Sequence, residues 1–123
     1  MSGLLLARRE SLPLTIVVLD DDGGGIFSML PIAEQGDEVA FRELFHTPHG
    51  LDLERVAGAF AIPYTRATDV PALEAALAAG VVSSGVSIVH VPIESETNEA
   101  RFRAATASAL AAVAAAQRGA LAP

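Results

Sequence analysis

Six consecutive residues, Asp20-Asp21-Asp22-Gly23-Gly24-Gly25, concentrate more chemistry than any other stretch of the chain. Three adjacent carboxylates are hard oxygen donors of the kind that divalent cations such as Mg²⁺ take. The glycines let backbone amides and carbonyls come close to a ligand, because no Cβ stands in the way. A helix starting just beyond would turn free amides toward phosphate. Together these features describe a metal-bridged diphosphate site. Asp- and Gly-rich turns are also the ordinary composition of solvated loops. The place of the six residues in the fold therefore decides between the two readings.

The run before them, Leu14-Thr15-Ile16-Val17-Val18-Leu19, is continuous, apolar and β-branched. That is the pattern of a strand buried on both faces of a parallel sheet. The acids and glycines end it, since neither continues a buried strand. Residues 26–30 predict a short helix, and 31–49 read as irregular, with an exposed turn at Glu34-Gln35-Gly36-Asp37. Asp52 is placed to cap a helix through Phe60, with Leu53, Val56, Ala57 and Phe60 on one face. A short strand is expected over 62–66. Asp69 opens the next helix, with Pro71 in its first turn, Leu73, Ala76 and Leu77 on its apolar face, and Gly80 at the C-cap. Val86-Ser87-Ile88-Val89-His90-Val91 predicts a further strand. Thr97 opens a last helix to about Gln117, followed by a fraying tail over 118–123. Residues 4–10 read as the end of a helix. The alternation of strands and helices implies an α/β fold, a parallel sheet flanked by helices with right-handed crossovers. In such sheets ligands bind at the carboxyl ends of strands, where 20–25 falls.

Composition removes several function classes. The chain has 123 residues and is 51% hydrophobic, enough for one domain with a core. Its net charge of −7 opposes binding to a phosphate backbone, so no nucleic-acid partner is expected. All eight cations are arginines, which removes mechanisms that need a Schiff-base or P-loop lysine. With no cysteine there is no disulfide framework, thiolate zinc site or thiol nucleophile. The apolar run at Leu4-Leu5-Leu6 is too short for a signal peptide, and charges interrupt the alanine-rich C-terminal stretch. No membrane association and a cytoplasmic location are expected.

His46 and His49, in the irregular stretch beside Pro48, read as surface residues, and His90, inside a strand, as structural. Arg42, Arg55 and Arg66 have the chemistry to bind carboxylates. Nothing in the sequence ties them to the acidic loop, and no catalytic residue is assigned. Leu30 reads as core.

Read as words, Leu14-Thr15-Ile16-Val17-Val18-Leu19-Asp20-Asp21-Asp22-Gly23-Gly24-Gly25-Ile26-Phe27-Ser28 resembles the second half of the thiamin diphosphate motif as it occurs in the MenD family. Leu44-Phe45-His46-Thr47-Pro48-His49-Gly50-Leu51-Asp52 is similar to the family's following segment, and Ser2-Gly3-Leu4-Leu5 to the stretch before the strand. The likeness runs over about 3–91 and fades in the alanine-rich tail. It implies that residues 1–123 are a single, partial C-terminal thiamin diphosphate-binding domain. It also implies a parent that uses thiamin diphosphate and Mg²⁺ to decarboxylate 2-oxoglutarate and add the resulting carbanion to isochorismate in menaquinone biosynthesis. In that mapping Asp21 is a side-chain Mg²⁺ ligand and Gly23 a backbone carbonyl ligand. Gly23, Gly24 and Gly25 lie along the diphosphate, and Ile26 and Phe27 line the pocket near the reactive ring. Family members more often carry asparagine within the triplet, so the three aspartates add charge beside a diphosphate.

In the family a preceding Gly-Asp pair supplies a second metal-binding aspartate, and a pyrimidine-binding domain, usually from another subunit, supplies an activating glutamate. Neither has a counterpart in this sequence. The resemblance therefore implies a fragment that needs the remainder of its parent, binds the cofactor weakly or not at all, is inactive alone, and self-associates through an unpaired sheet edge. Two other readings compete. One is a non-catalytic assembly or binding module that kept the fold. The other is a receiver-like signalling domain, which the missing lysine and the missing second strand-end aspartate disfavour.

Overall fold

The computed structural model describes residues 2–120. Three strands form a wholly parallel sheet in the order β1-β3-β2: β1 is Leu14–Asp20, β2 Tyr64–Arg66 and β3 Val86–Pro92. Four helices accompany them: α1 Ser2–Arg9, α2 Leu53–Ala59, α3 Val70–Val81 and α4 Ser95–Ala120. Between β1 and α2 the chain makes an excursion of tight turns, with 3-10 segments Gly25–Met29 and Pro31–Val39, kinked at Gly36, and a π turn Arg42–His46. The expected α/β parallel architecture is present.

Local chemistry accounts for the helix starts. The Asp52 carboxylate accepts from the Arg55 amide at 3.0 Å, and that of Asp69 from the Ala72 amide at 2.8 Å. Each satisfies a donor that a helix leaves free in its first turn. Arg8 and Arg9 end α1, where positive charge suits the helix dipole, and Arg8 Nη1 donates to the Phe60 carbonyl at 3.0 Å, tying α1 to the end of α2. The core lies where α1, α2 and the sheet meet. Ala7, Ala57, Ile62, Val86 and Ile88 are buried there, with Leu4, Ile16, Val18, Phe60 and Tyr64 packed around them. The small side chains of Ala7 and Ala57 let two helices approach at the cost of bulk.

Three expectations are corrected. β1 is not buried on both faces: it is an edge strand, and Leu14, Val17 and Leu19 are exposed, Leu19 by 70%. Its apolar run is written for a sheet with more cover than these residues supply. Gly80 does not end its helix. It lies inside α3, where the Thr15 side chain of β1 occupies the space a Cβ would need. The last helix starts at Ser95, before Thr97, and runs on to Ala120, so it reaches into the stretch expected to fray; residues 121–123 lie outside the described residues.

Candidate diphosphate and metal site

The register of β1 on β3 pairs Asp20 with Pro92, so the acidic loop emerges at the carboxyl end of the sheet, the side on which open α/β sheets bind ligands. Its path is held from three directions. The Ile93 amide, just past β3, donates to the Asp20 carbonyl at 2.7 Å, and Ser95 Oγ, at the start of α4, donates to the Asp21 carbonyl at 3.1 Å. From the excursion, the His49 amide donates to the Asp22 carbonyl at 3.2 Å and the Gly50 amide to Asp22 Oδ1 at 2.7 Å. The Gly24 amide donates to the His46 carbonyl at 2.6 Å, and the Phe27 amide to the Gly24 carbonyl at 2.9 Å. Among the described residues, the carbonyl of Gly23 is the one between Asp20 and Gly24 left without a hydrogen-bond donor.

The glycines are needed for space as well as for shape. Gly23 has φ +146°, a conformation that L side chains rarely adopt, and a Cβ there would collide with the His46 carbonyl. A Cβ on Gly25 would meet the Asp21 carboxylate and Ser95 Oγ. Asp21 is thus folded over its own loop, with Oδ1 accepting from the Gly23 amide at 3.3 Å. Asp21 and Asp22 line a cavity of about 350 Å³ with His46, Glu94, Ser95 and Thr97. His46 Nε2 is buried with no hydrogen-bond partner among the described residues.

Asp20 serves a different purpose from its neighbours. His49 Nε2 lies 3.1 Å from Asp20 Oδ1, while its Nδ1 accepts the Leu51 amide at 2.9 Å. Because Nδ1 is an acceptor, the proton of the neutral ring sits on Nε2 and points at Asp20. On the other side, His90 Nε2 is 3.1 Å from Asp20 Oδ2, close but out of hydrogen-bond alignment. His90 Nδ1 shares a hydrogen bond with the Tyr64 hydroxyl at 2.6 Å, which holds the ring with its Nε2 edge toward the carboxylate. Burial pushes the Asp20 carboxyl up, but the Asp22 amide, the hydrogen bond from His49 and the two imidazoles outweigh it and hold it below the usual carboxylate value. Asp20 is therefore an anchored anion inside the protein.

These contacts add to the sequence reading of the histidines. His49 is exposed, as expected, and its ring also joins the excursion to the loop. His46 is half-buried, lines the cavity, and keeps its Nε2 buried. His90 is structural, as expected, and is wired to Asp20 and Tyr64. The Thr47-Pro48-His49 word carried a signal for this, since Thr47 takes a left-handed φ of 45° before the proline and turns the chain back to the loop. Of the expected pocket-lining pair, Ile26 is 68% exposed and Phe27 packs edge-on to Phe45 with ring centroids 6.2 Å apart. Neither lines the cavity beside Asp21.

The donor set fits a hard cation in part. Asp21 offers a carboxylate oxygen and Gly23 a free carbonyl, both ligands of the kind Mg²⁺ takes. Among the described residues, no three His, Asp or Glu side chains converge into a closed metal cage. A cation held here would take its remaining ligands from phosphate, water or other protein.

No family model matches this sequence. Individual proteins do. The chain is 42% identical over 115 residues to the 2-succinyl-5-enolpyruvyl-6-hydroxy-3-cyclohexene-1-carboxylate synthase of Thermobifida fusca, covering 90% of this chain and 19% of the synthase. The synthase of the same name from Roseiflexus castenholzii is 36% identical over 104 residues, 85% of this chain and 18% of that protein. The one from Oceanobacillus iheyensis is 40% identical over 98 residues, 80% and 17%.

This chain is a homologue of one segment of the MenD synthases.

It spans less than a fifth of the length of these MenD relatives. The fold has a counterpart among solved structures. A benzoylformate decarboxylase from Polynucleobacter necessarius superposes with a TM-score of 0.62 at 20% identity, over 76% of this chain and 17% of that one. That likeness concerns the fold alone: a three-stranded parallel sheet with its helices, which in that protein is one part of a longer chain. Among the described residues no helix is long and apolar enough to cross a membrane.

Proposed function

We propose that this MenD-like segment holds the diphosphate end of thiamin diphosphate through Mg²⁺, as part of a larger cytoplasmic enzyme. That enzyme decarboxylates 2-oxoglutarate and adds the product carbanion to isochorismate. The observation that carries the reading is the acidic, glycine-rich loop at the carboxyl end of β1, with the Asp21 carboxylate and an unpaired Gly23 carbonyl on the same turn.

When bound, thiamin diphosphate supplies the electron sink that decarboxylation requires. The work of this chain is to bind and orient. Asp21 and Gly23 would hold the metal, and the backbone of Gly23, Gly24 and Gly25 would run beside the diphosphate. Asp20, anchored between His49 and His90, fixes the strand end from which the loop springs. The exposed Ile26 and the half-exposed Phe27 are placed to meet a neighbouring domain or the cofactor's ring. The pyrimidine-binding domain and the remaining Mg²⁺ ligand belong, on this reading, to the rest of the enzyme. The whole of residues 1–123 then acts as one partial domain, and by itself it turns over no substrate.

Calorimetric titration of the purified chain with thiamin diphosphate and Mg²⁺, with Asp21→Ala as control, tests the reading. Saturable, Mg²⁺-dependent binding that disappears in Asp21→Ala supports it, as does binding that appears only once the family's Gly-Asp segment is joined upstream. Absence of binding with that segment restored would leave the fold and the ancestry but remove the function.

A further inference from the structure

Arg66 and Arg101 come from different elements and face the same hollow. Arg66 ends β2 and Arg101 lies in the second turn of α4. With Thr68, Glu94, Thr97 and Asn98 they line a cavity of about 480 Å³ at the carboxyl end of the sheet. None of Asp20, Asp21, Asp22 or the three glycines takes part in it.

The charge pattern is unusual for this chain, which has fifteen acids to eight arginines. Arg9, Arg55 and Arg103 pair with carboxylates; among the described residues Arg66 and Arg101, like Arg8, Arg42 and Arg118, have no ion pair, but of these only Arg66 and Arg101 line this hollow. Glu94 shares the cavity, and its Oε2 accepts from Thr97 Oγ1 at 3.2 Å. Two unpaired guanidiniums on one concave surface repel each other, and a bound anion removes that cost. Thr68 and Asn98 add neutral donors on the same wall, and α4, 26 residues long, begins at its edge with the positive end of its dipole. The volume is that of a small-molecule site.

We propose that this hollow is an anion subsite for a small ligand bearing a carboxylate or phosphate group, gripped by Arg66 and Arg101. The two hollows adjoin and share Glu94 and Thr97, but the proposed grip is made by Arg66 and Arg101, which do not line the cavity of the acidic loop, so it does not depend on the diphosphate reading.

The test is an NMR titration of the full chain, without Mg²⁺, using inorganic phosphate in one arm and succinate in the other. The expected result is saturable shifts of the Thr68, Thr97 and Asn98 amides in at least one arm. Arg66→Gln and Arg101→Gln should each weaken that binding about tenfold, the loss of one charge-assisted fork, while Asp21→Ala leaves it unchanged. Both arginines are solvent-exposed, so their loss spares the fold, which circular dichroism of the variants verifies. The arm that saturates at lower concentration names the group. Shifts that stay linear in both arms overturn the proposal, as do saturable shifts that persist unaltered in both arginine variants.

Discussion

His49 Nε2 stands 3.1 Å from Asp20 Oδ1, although 29 residues separate the two in the chain. That contact closes the excursion between β1 and α2 back onto the strand end it left. Removing the imidazole frees one face of a mostly buried carboxylate and the turn that carries Gly50 to Asp22. His49→Ala is expected to lower stability by about 1 kcal/mol, since the ring is a third exposed. A urea midpoint lowered at constant slope, with the Asp21 and Gly23 amides shifted in the NMR spectrum, is the expected reading; an unchanged midpoint would contradict the clamp.

Gly23 tests the loop itself. Its positive φ and the His46 carbonyl leave no place for a methyl group. Gly23→Ala should cost about 1–3 kcal/mol through backbone strain. Thermal unfolding measures this, with Gly36→Ala as a comparison: that glycine also has a positive φ, yet a Cβ there meets nothing within 4 Å. The larger loss is expected at Gly23.

Tyr64 gives a spectroscopic handle, being the sole tyrosine of a chain with no tryptophan. Burial raises its phenol pKa above the ordinary value near 10; Arg66 opposes the rise, and Glu54, Asp52 and Asp20 add to it. A raised folded pKa means that the stability it contributes is intact below pH about 10 and is lost as pH climbs through the folded value. Phenolate absorbance of the native chain should therefore titrate later than that of the chain in denaturant. Tyr64→Phe should abolish this tyrosine's share of the alkaline loss while giving up the hydrogen bond to His90.

Asp20 acts at the other end of the scale. Its folded pKa is depressed, so its contribution is intact above the unfolded carboxylate value of about 4 and is lost as pH falls through the folded value. Asp20→Asn should make the chain less stable at neutral pH and flatten the acid limb of its stability curve. An acid limb as steep as that of the unaltered chain would show that other carboxylates govern it.

The exposed edge of β1 predicts self-association, because an apolar unpaired strand is a template for another chain. Light scattering of the chain should give a mass above that of a monomer. Replacing both Val17 and Leu19, which lie two apart on one face, by lysine should move it toward the monomer.

Much of this was legible from the sequence because it depends on neighbours in the chain. Asp52 and Asp69 cap helices through amides three residues on, and the strand periods of 14–19 and 86–91 are local properties of β-branched residues. The acidic and glycine-rich loop could be placed at a strand end from its composition, and its likeness to MenD followed from contiguous words. What only the tertiary structure decided concerns partners far apart in sequence. Asp20 became an anchored anion because β3 and the excursion bring His90 and His49 to it. The Gly23 carbonyl was left free because other segments claim its neighbours. β1 turned out to be an edge, since strand order is a property of the whole sheet. Arg66 gained a companion in Arg101 because the end of β2 and the start of α4 meet over one hollow. Local preferences are written residue by residue, whereas which polar groups face one another is settled only when the core closes and each must find a partner.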